Sequence, residues 1–227
     1  SERIGVDPIG QTISGITMVT GEPDMPPIRT GVPIIDRITA LHSSIGTMAA
    51  LLERQVSGEG QSIDVCLADT GYSLTEIPIT AYHGTKVAPE RGEDAGRGAT
   101  GGIYPCKGGW VMITAGSQPQ WPRVCDAIGR PEWKEDPRFE SRHARGDNRA
   151  VVDAEIQALI AEMTMEEAVD HFVKHDVVAS PVNTIPQAAE DPHPWERGAM
   201  TEVPDFLAGT IAVSGDFWHF RRTPAVV

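Results

Sequence analysis

The carboxylate of Asp36 is the side chain in this sequence best suited to act as a nucleophile. It ends the segment GVPIID at residues 31–36, just where apolar residues begin to recur with helical spacing. In the first turn of a helix, unpaired backbone N–H groups and the helix dipole would orient the carboxylate and stabilise its negative charge. Such a carboxylate can attack an acyl carbon, but Asp is also a common helix-capping residue. These six residues leave both interpretations open.

Two helices and a turn must position Asp36. Apolar residues in steps of three and four predict a long helix with one buried stripe; they are Ile34, Ile35, Ile38, Leu41, Ile45, Met48, Ala49, Leu51 and Leu52. A turn at residues 57–60 and a short strand at 62–65 should follow. A second helix is predicted from about Leu67 to Tyr82, and Pro78 should kink or end it.

A glycine-rich segment follows these helices. Residues 86–102 contain Pro89 and five glycines, which predicts a mobile loop or linker. Without Cβ atoms, backbone N–H groups can approach a ligand closely, as in a lid that excludes water from a reactive intermediate. A plain linker between domains has the same composition. No Gly-Lys-Ser or Gly-Lys-Thr follows, so a phosphate-binding loop is disfavoured.

Alternating strand and helix patterns fill the remainder of the chain. Strands are predicted at residues 102–105 and 110–115, joined through a turn at 107–109, and at 177–182. Helices are predicted at 120–128, 149–163 and 165–175. The tail at residues 200–220 should contain short strands around Gly209 and Gly215. His171 and His175, four residues apart, could share a helix face as metal ligands do, but a solvated face is favoured.

Composition excludes several classes of function. The chain has 227 residues and 40% apolar content, enough for a real core. A net charge of −13 disfavours nucleic-acid binding, and no apolar run is long enough for a membrane span. Three cysteines at unrelated spacings indicate neither a disulfide framework nor a zinc site. We therefore expect a cytoplasmic protein.

An ordered set of motifs carries a family resemblance. Residues 20–24 read TGEPD, the Asp36 segment follows, and residues 53–65 read ERQVSGEGQSIDV. In this order and with similar gaps, the set resembles the family III CoA-transferases (the CaiB/BaiF family), although Met25 and Ser57 replace a family Gly and Thr. Further segments also look like family positions: residues 104–111, 128–133, 136–139 and 178–182.

The resemblance implies an α/β fold, a partial CoA-transferase family III fold with a smaller α+β domain. We expect residues 1–85 to form part of a large domain, 86–102 the glycine-rich linker, 103–190 the small domain and 191–227 a return segment. Family members are longer and begin with a Rossmann-like region that holds much of the nucleotide, so this chain looks like their central and later part. They also form dimers with chains threaded through each other, so a homodimer is expected.

The resemblance also implies the chemistry. Asp36 would attack an acyl-CoA to give a mixed anhydride, which the released CoA thiolate would convert to an aspartyl-CoA thioester. Gly98, Gly101 and Gly102 hold the position of the family's glycine loop and are predicted to donate N–H groups to the oxyanion. The substrates would be an acyl-CoA and a small carboxylic acid, with no metal and no tightly bound cofactor. The sequence does not identify the acid.

Two alternatives remain at this point. Acyl-CoA racemases share the fold but have a His-Asp pair where this chain has Val6-Asp7, which disfavours them. Asp7 itself is interpreted as a helix cap before Pro8. A truncated, non-catalytic or partner-dependent dimerisation module is the other alternative, and the absent nucleotide-binding region favours it.

Overall fold

A computed structural model describes residues 4–89, 91–92 and 100–223 of the chain. The described helices are α1 (Asp7–Ile13), α2 (Ile16–Val19), α3 (Ile34–Ser57), α4 (Leu67–Leu74), α5 (Glu76–Thr85), α6 (Trp121–Ala127), α7 (Arg142–Asp147), α8 (Arg149–Ile160), α9 (Met165–Lys174), α10 (Ile185–Glu190) and α11 (Pro192–Glu196). The strands are β1 (Gly101–Cys106), β2 (Gly109–Thr114), β3 (Val178–Pro181), β4 (Met200–Asp205) and β5 (Gly209–Ser214).

The helices and strands form two compact units. The first contains the described part of residues 1–100 together with 115–125 and 130–153. The second contains residues 101–114, 126–129 and the described part of 154–227. Mixed helix and strand confirm the predicted α/β class, whereas the domain boundaries inferred from the sequence stay predictions.

In the first unit, α1 packs against both α3 and α4. Close approach depends on glycine: an added Cβ at Gly71 of α4 would lie 2.7 Å from the Ser14 Cβ and 3.0 Å from the carbonyl oxygen of Gly10. The buried Thr75 hydroxyl donates to the Ser14 carbonyl over 2.9 Å. From α3, the Thr39 hydroxyl reaches the Thr70 hydroxyl of α4 at 3.0 Å. These contacts tie the helix that carries Asp36 to two neighbours.

The predicted single helix from Leu67 to Tyr82 is two helices, α4 and α5, separated at Thr75. Pro78 is responsible, but it acts upstream of its own position. A proline ring clashes with the carbonyl four residues earlier, here that of Leu74, where α4 ends. Pro78 itself lies in the first turn of α5, where its missing N–H leaves no helical hydrogen bond unmade.

Helix α3 is present as predicted, but the prediction of one buried stripe was wrong. Ile35 is its only buried residue, and five apolar side chains of the predicted stripe are more than half exposed: Leu41, Ile45, Met48, Leu51 and Leu52. In its first turns, α3 contacts α1 and α4. The helix ends at Gly58, whose φ of +77° allows its N–H to bond the Arg54 carbonyl at 2.9 Å.

The aromatic side chains of Trp121, Trp133 and Phe139 form a buried cluster in the first unit, with the Trp133 and Phe139 rings 4.5 Å apart. Arg145 is fully buried against it, and its Nη1 donates to the Gln118 Oε1 at 2.8 Å. Burial lowers the pKa of this guanidinium. The cluster gives Trp121 and Trp133 a packing role in the core of the first unit.

The second unit is built on a three-stranded antiparallel sheet in the order β1-β2-β3. Val111 and Ile113 alternate with exposed residues along β2 and are fully buried. Helix α9 packs against β2 and β3 and is buried through Ala168 and Phe172. These strands and helices agree closely with the predicted ones.

The strand expected at residues 62–65 is absent, because that described segment pairs with no neighbour.

A substitution at Gly71 tests the packing of α4 on α1. Gly71→Ala should lower the free energy of unfolding by about 1–3 kcal/mol through overpacking, despite the roughly 1 kcal/mol that alanine adds in helix propensity. Gly84→Ala in α5 is the control, because its Cβ would meet no atom within 4 Å and should stabilise slightly. Urea unfolding followed by circular dichroism measures both. Equal or greater stability of Gly71→Ala would contradict this packing.

A capping box at the start of α9 predicts a pH-dependent stability. The Thr164 N–H donates to the Glu167 carboxylate at 2.8 Å and lowers the pKa of that group. The stabilisation is present above the unfolded pKa of about 4.3 and is lost as pH falls through the lower folded value. Glu167→Gln should remove this part of the acid destabilisation, and the neighbouring Glu166→Gln should retain it. Urea unfolding at a series of acidic pH values makes the comparison; identical pH profiles for the two variants would refute the assignment.

Candidate active site

The carboxylate of Asp7 caps helix α3 from a different helix. Asp7 lies in the first turn of α1 and is only 5% exposed. Its Oδ2 accepts hydrogen bonds from the backbone N–H groups of Ile35 at 2.8 Å and Asp36 at 3.2 Å. The N-cap residue Pro33 provides no side-chain cap, so α3 depends on this distant carboxylate.

The side-chain amide of Gln11 completes the network. Its Nε2 donates to the Asp7 Oδ1 at 2.5 Å, and its Oε1 accepts from the Thr30 N–H at 2.9 Å. Only one amide orientation satisfies both partners, because the carboxylate accepts and the N–H donates. Gln11 is 1% exposed, and it connects α1 to the segment that precedes α3.

The first four N–H groups of α3 are therefore all used. Besides the two bonded to Asp7, the Ile34 N–H donates to the Val32 carbonyl at 2.8 Å and the Arg37 N–H to the Pro33 carbonyl at 3.2 Å. The expectation that unpaired N–H groups orient the Asp36 carboxylate was wrong. Asp36 does not cap the helix either, and its side chain is exposed with no hydrogen bond to the described residues.

Asp36 and Asp7 line one open cleft of about 590 Å³ in the first unit. The other lining residues are Val6, Pro8, Ile28, Arg29, Thr30, Gly31, Val32 and Pro33. The two carboxylates differ sharply: that of Asp7 is buried and accepts three hydrogen bonds, and that of Asp36 is exposed and has no hydrogen bond to the described residues. The cleft therefore contains one exposed carboxylate at the start of α3.

Two features of the cleft were missed by the sequence analysis. The described residues offer no acceptor to the Gly31 and Val32 N–H groups, which leaves two backbone donors among the lining residues. The exposed residue Arg29 belongs to the same lining. The four-residue spacing of Asp7 and Gln11 was a usable signal for the network, because it places both on one face of a helix.

The predicted glycine-loop residues are placed only in part. Gly101 and Gly102 belong to β1 of the second unit, opposite Thr114 and Ile113 of β2. Gly101 has a φ of +108°, a conformation that favours glycine. Gly98 lies outside the described residues.

The histidine pair is held by backbone carbonyls. The His171 Nε2 lies 2.7 Å from the Ala127 carbonyl oxygen, and the His175 Nδ1 lies 2.9 Å from that of His171. Within the described ranges, no group of three or more His, Cys, Asp or Glu side chains is arranged to hold a metal ion. None of the described helices combines the length and apolar character needed to cross a membrane.

Fold and site together define an α/β protein that presents an exposed carboxylate at the start of a long helix. Across residues 1–227 the chain matches CoA-transferase family III, and it belongs to that family. This confirms the resemblance in the motifs around Asp36.

The similar proteins are considerably longer than this chain. Succinyl-CoA–D-citramalate CoA-transferase of Chloroflexus aurantiacus is 32% identical over 228 residues, covering 100% of this chain and 57% of that protein. Formyl-CoA:oxalate CoA-transferase of Escherichia coli is 28% identical, covering 91% of this chain and 55% of that protein.

Solved structures show the same fold. A CaiB/BaiF family protein from Brucella suis is 27% identical with a TM-score of 0.77, covering 98% of this chain and 58% of its own. A Mycobacterium tuberculosis protein has a TM-score of 0.81 at 24% identity, covering 99% of this chain and 60% of its own. The chain spans a little over half the length of its relatives.

Asp7→Asn tests whether the buried carboxylate holds the start of α3. The asparagine amide turns a donor toward either Gln11 or the α3 N–H groups, so the free energy of unfolding should fall by about 1.5–3 kcal/mol. The exposed Asp24→Asn is the matched control. Hydrogen exchange should accelerate at the Ile35 and Asp36 amides in Asp7→Asn alone; unchanged protection would refute the capping role.

Proposed function

We propose that the chain transfers CoA between an acyl-CoA and a carboxylic acid, with Asp36 as the nucleophile. The observation that carries the proposal is the division of roles between two carboxylates in one cleft. The Asp7 carboxylate already accepts three hydrogen bonds, whereas the Asp36 carboxylate is exposed and unpaired in the described structure. Similar relatives are named for CoA transfer, which supports the same reaction class.

The first half of the reaction forms a thioester on the protein. An Asp36 carboxylate oxygen attacks the thioester carbonyl of the donor, the carbon–sulfur bond breaks, and CoA thiolate leaves. The product is a mixed anhydride of Asp36 and the donor acid. The thiolate then attacks the Asp36 carbonyl carbon, the donor carboxylate departs, and an aspartyl-CoA thioester remains.

The second half repeats these steps in reverse with another acid. The acceptor carboxylate attacks the aspartyl thioester and releases CoA thiolate, which then attacks the acceptor's carbonyl carbon in the new anhydride. Acyl-CoA leaves and the Asp36 carboxylate is regenerated. Atoms and charges balance without water or an oxidant. Water must instead be kept out of the cleft, because it would hydrolyse the anhydride and thioester intermediates.

Each addition step creates an oxyanion that needs hydrogen-bond donors. Gly31 and Val32 line the Asp36 cleft, their N–H groups have no acceptor among the described residues, and we assign these groups to this role. Donation from Gly98, Gly101 and Gly102 stays a prediction. The homodimer expected from the family resemblance stays a prediction as well.

The lining of the cleft favours transfer over racemisation. Racemisation needs an acid and a base on opposite faces of the substrate. At the position where the racemases have histidine, Val6 lines the cleft and offers no titratable group. Asp7 is occupied by its three hydrogen bonds, so Asp36 is the reactive carboxylate that remains.

Covalent trapping tests the nucleophile. Incubation with an acyl-CoA should add CoA, with loss of water, to the peptide that contains Asp36, and hydroxylamine should convert this adduct to a hydroxamate. Asp36→Ala and Asp36→Asn should abolish the adduct and lower kcat by about a thousandfold or more, with an unchanged circular dichroism spectrum. The exposed Asp64→Asn is the control. An adduct that persists in Asp36→Ala would refute the proposal.

A further inference from the structure

We propose that Arg29 binds a second carboxylate on the substrate acid, which makes dicarboxylic acids the preferred acceptors. This inference rests on the proposed function, because it describes the acid that would react at Asp36. It starts from the charges that line the cleft. Arg29 is the only basic residue among the lining residues, where the carboxylates of Asp7 and Asp36 are the acidic groups.

The guanidinium of Arg29 is available for a ligand. It is exposed, and no described acidic side chain lies within ion-pairing distance. An arginine that served only to neutralise Asp36 would be expected to pair with it. Instead, both residues line the cleft and no ion pair joins them, so the guanidinium can receive an anion while the Asp36 carboxylate stays unpaired.

The N-terminus of α3, the other possible anion-binding site in this cleft, is not available. A helix N-terminus attracts anions through its unpaired N–H groups. In α3 those groups are bonded to Asp7, Val32 and Pro33, so they are not available. A charged group of the substrate must therefore find another partner in the cleft, and Arg29 offers a fork of donors that matches a carboxylate.

The backbone beside Arg29 is held in place. The Thr30 N–H is fixed by Gln11 at 2.9 Å, and the Thr30 hydroxyl donates to the Val32 carbonyl over the same distance. Arg29 and Asp36 are therefore both positioned by α1, through Gln11 and Asp7. A monocarboxylic acid uses its one carboxylate to attack at Asp36, so only an acid with a second carboxylate can also occupy Arg29.

Binding and acceptor kinetics with succinate and butyrate test this inference. Arg29→Gln should weaken succinate binding and lower its kcat/KM as an acceptor by about tenfold to a hundredfold. The kcat/KM for butyrate should change by less than about twofold, because butyrate has no second carboxylate for Arg29 to bind. Arg29→Lys should retain part of the preference. Arg37→Gln is the matched control, since Arg37 follows Asp36 but does not line the cleft.

Other outcomes overturn the inference. If Arg29→Gln lowered kcat/KM equally for succinate and butyrate, Arg29 would bind the carboxylate that reacts and not a second one. If Arg29→Gln lost adduct formation from acetyl-CoA but kept acid binding unchanged, Arg29 would bind the coenzyme and not the acid. Binding is measured separately, by amide shifts of Gly31 and Asp36 on titration with each acid. If acetyl-CoA leaves no adduct on Asp36 but succinate binding still depends on Arg29, the proposed function fails and the anion site stands.

Discussion

The buried carboxylate of Asp7 is the group on which the rest of the site depends. A helix start leaves four N–H groups without partners, and their burial without acceptors is costly. Here the N–H groups of Ile35 and Asp36 bond to a side chain that lies 28 and 29 residues earlier in the sequence, and Gln11 fixes that side chain from the same helix. The network joins α1, the Thr30 segment and α3 into one support, and the position of Asp36 is a consequence of it.

This support separates two carboxylates that would otherwise compete for the same role. The Asp7 carboxylate has a structural role, because it is buried and accepts three hydrogen bonds. The Asp36 carboxylate at the start of α3 is left exposed. Because the start of α3 is already occupied, it cannot also bind an anionic substrate. We propose that Arg29 recognises the charge of the substrate instead, and that the backbone N–H groups of residues 31 and 32 stabilise the oxyanion.

The two ends of α3 have different surroundings. Its first turns pack on α1 and α4 through Ile35 and Thr39, and its later turns leave an apolar face exposed in the described structure. Helical periodicity reports that such a face exists, because it follows from the spacing of side chains around one helix. It contains no information on whether another element covers that face, which depends on the tertiary contacts available.

Local patterns in the sequence determined much of this protein. Periodicity located α3, α8 and α9, two strand-forming runs around the turn at residues 107–109 located β1 and β2, and the ordered motifs around Asp36 identified the family. Only the tertiary structure decided which group caps α3, how much of the apolar face of α3 is covered, and that Arg29 shares a cleft with Asp36. The reason is physical: spacing along the chain fixes which side chains share a face, but hydrogen-bond acceptors and packing partners come from residues far away in the sequence.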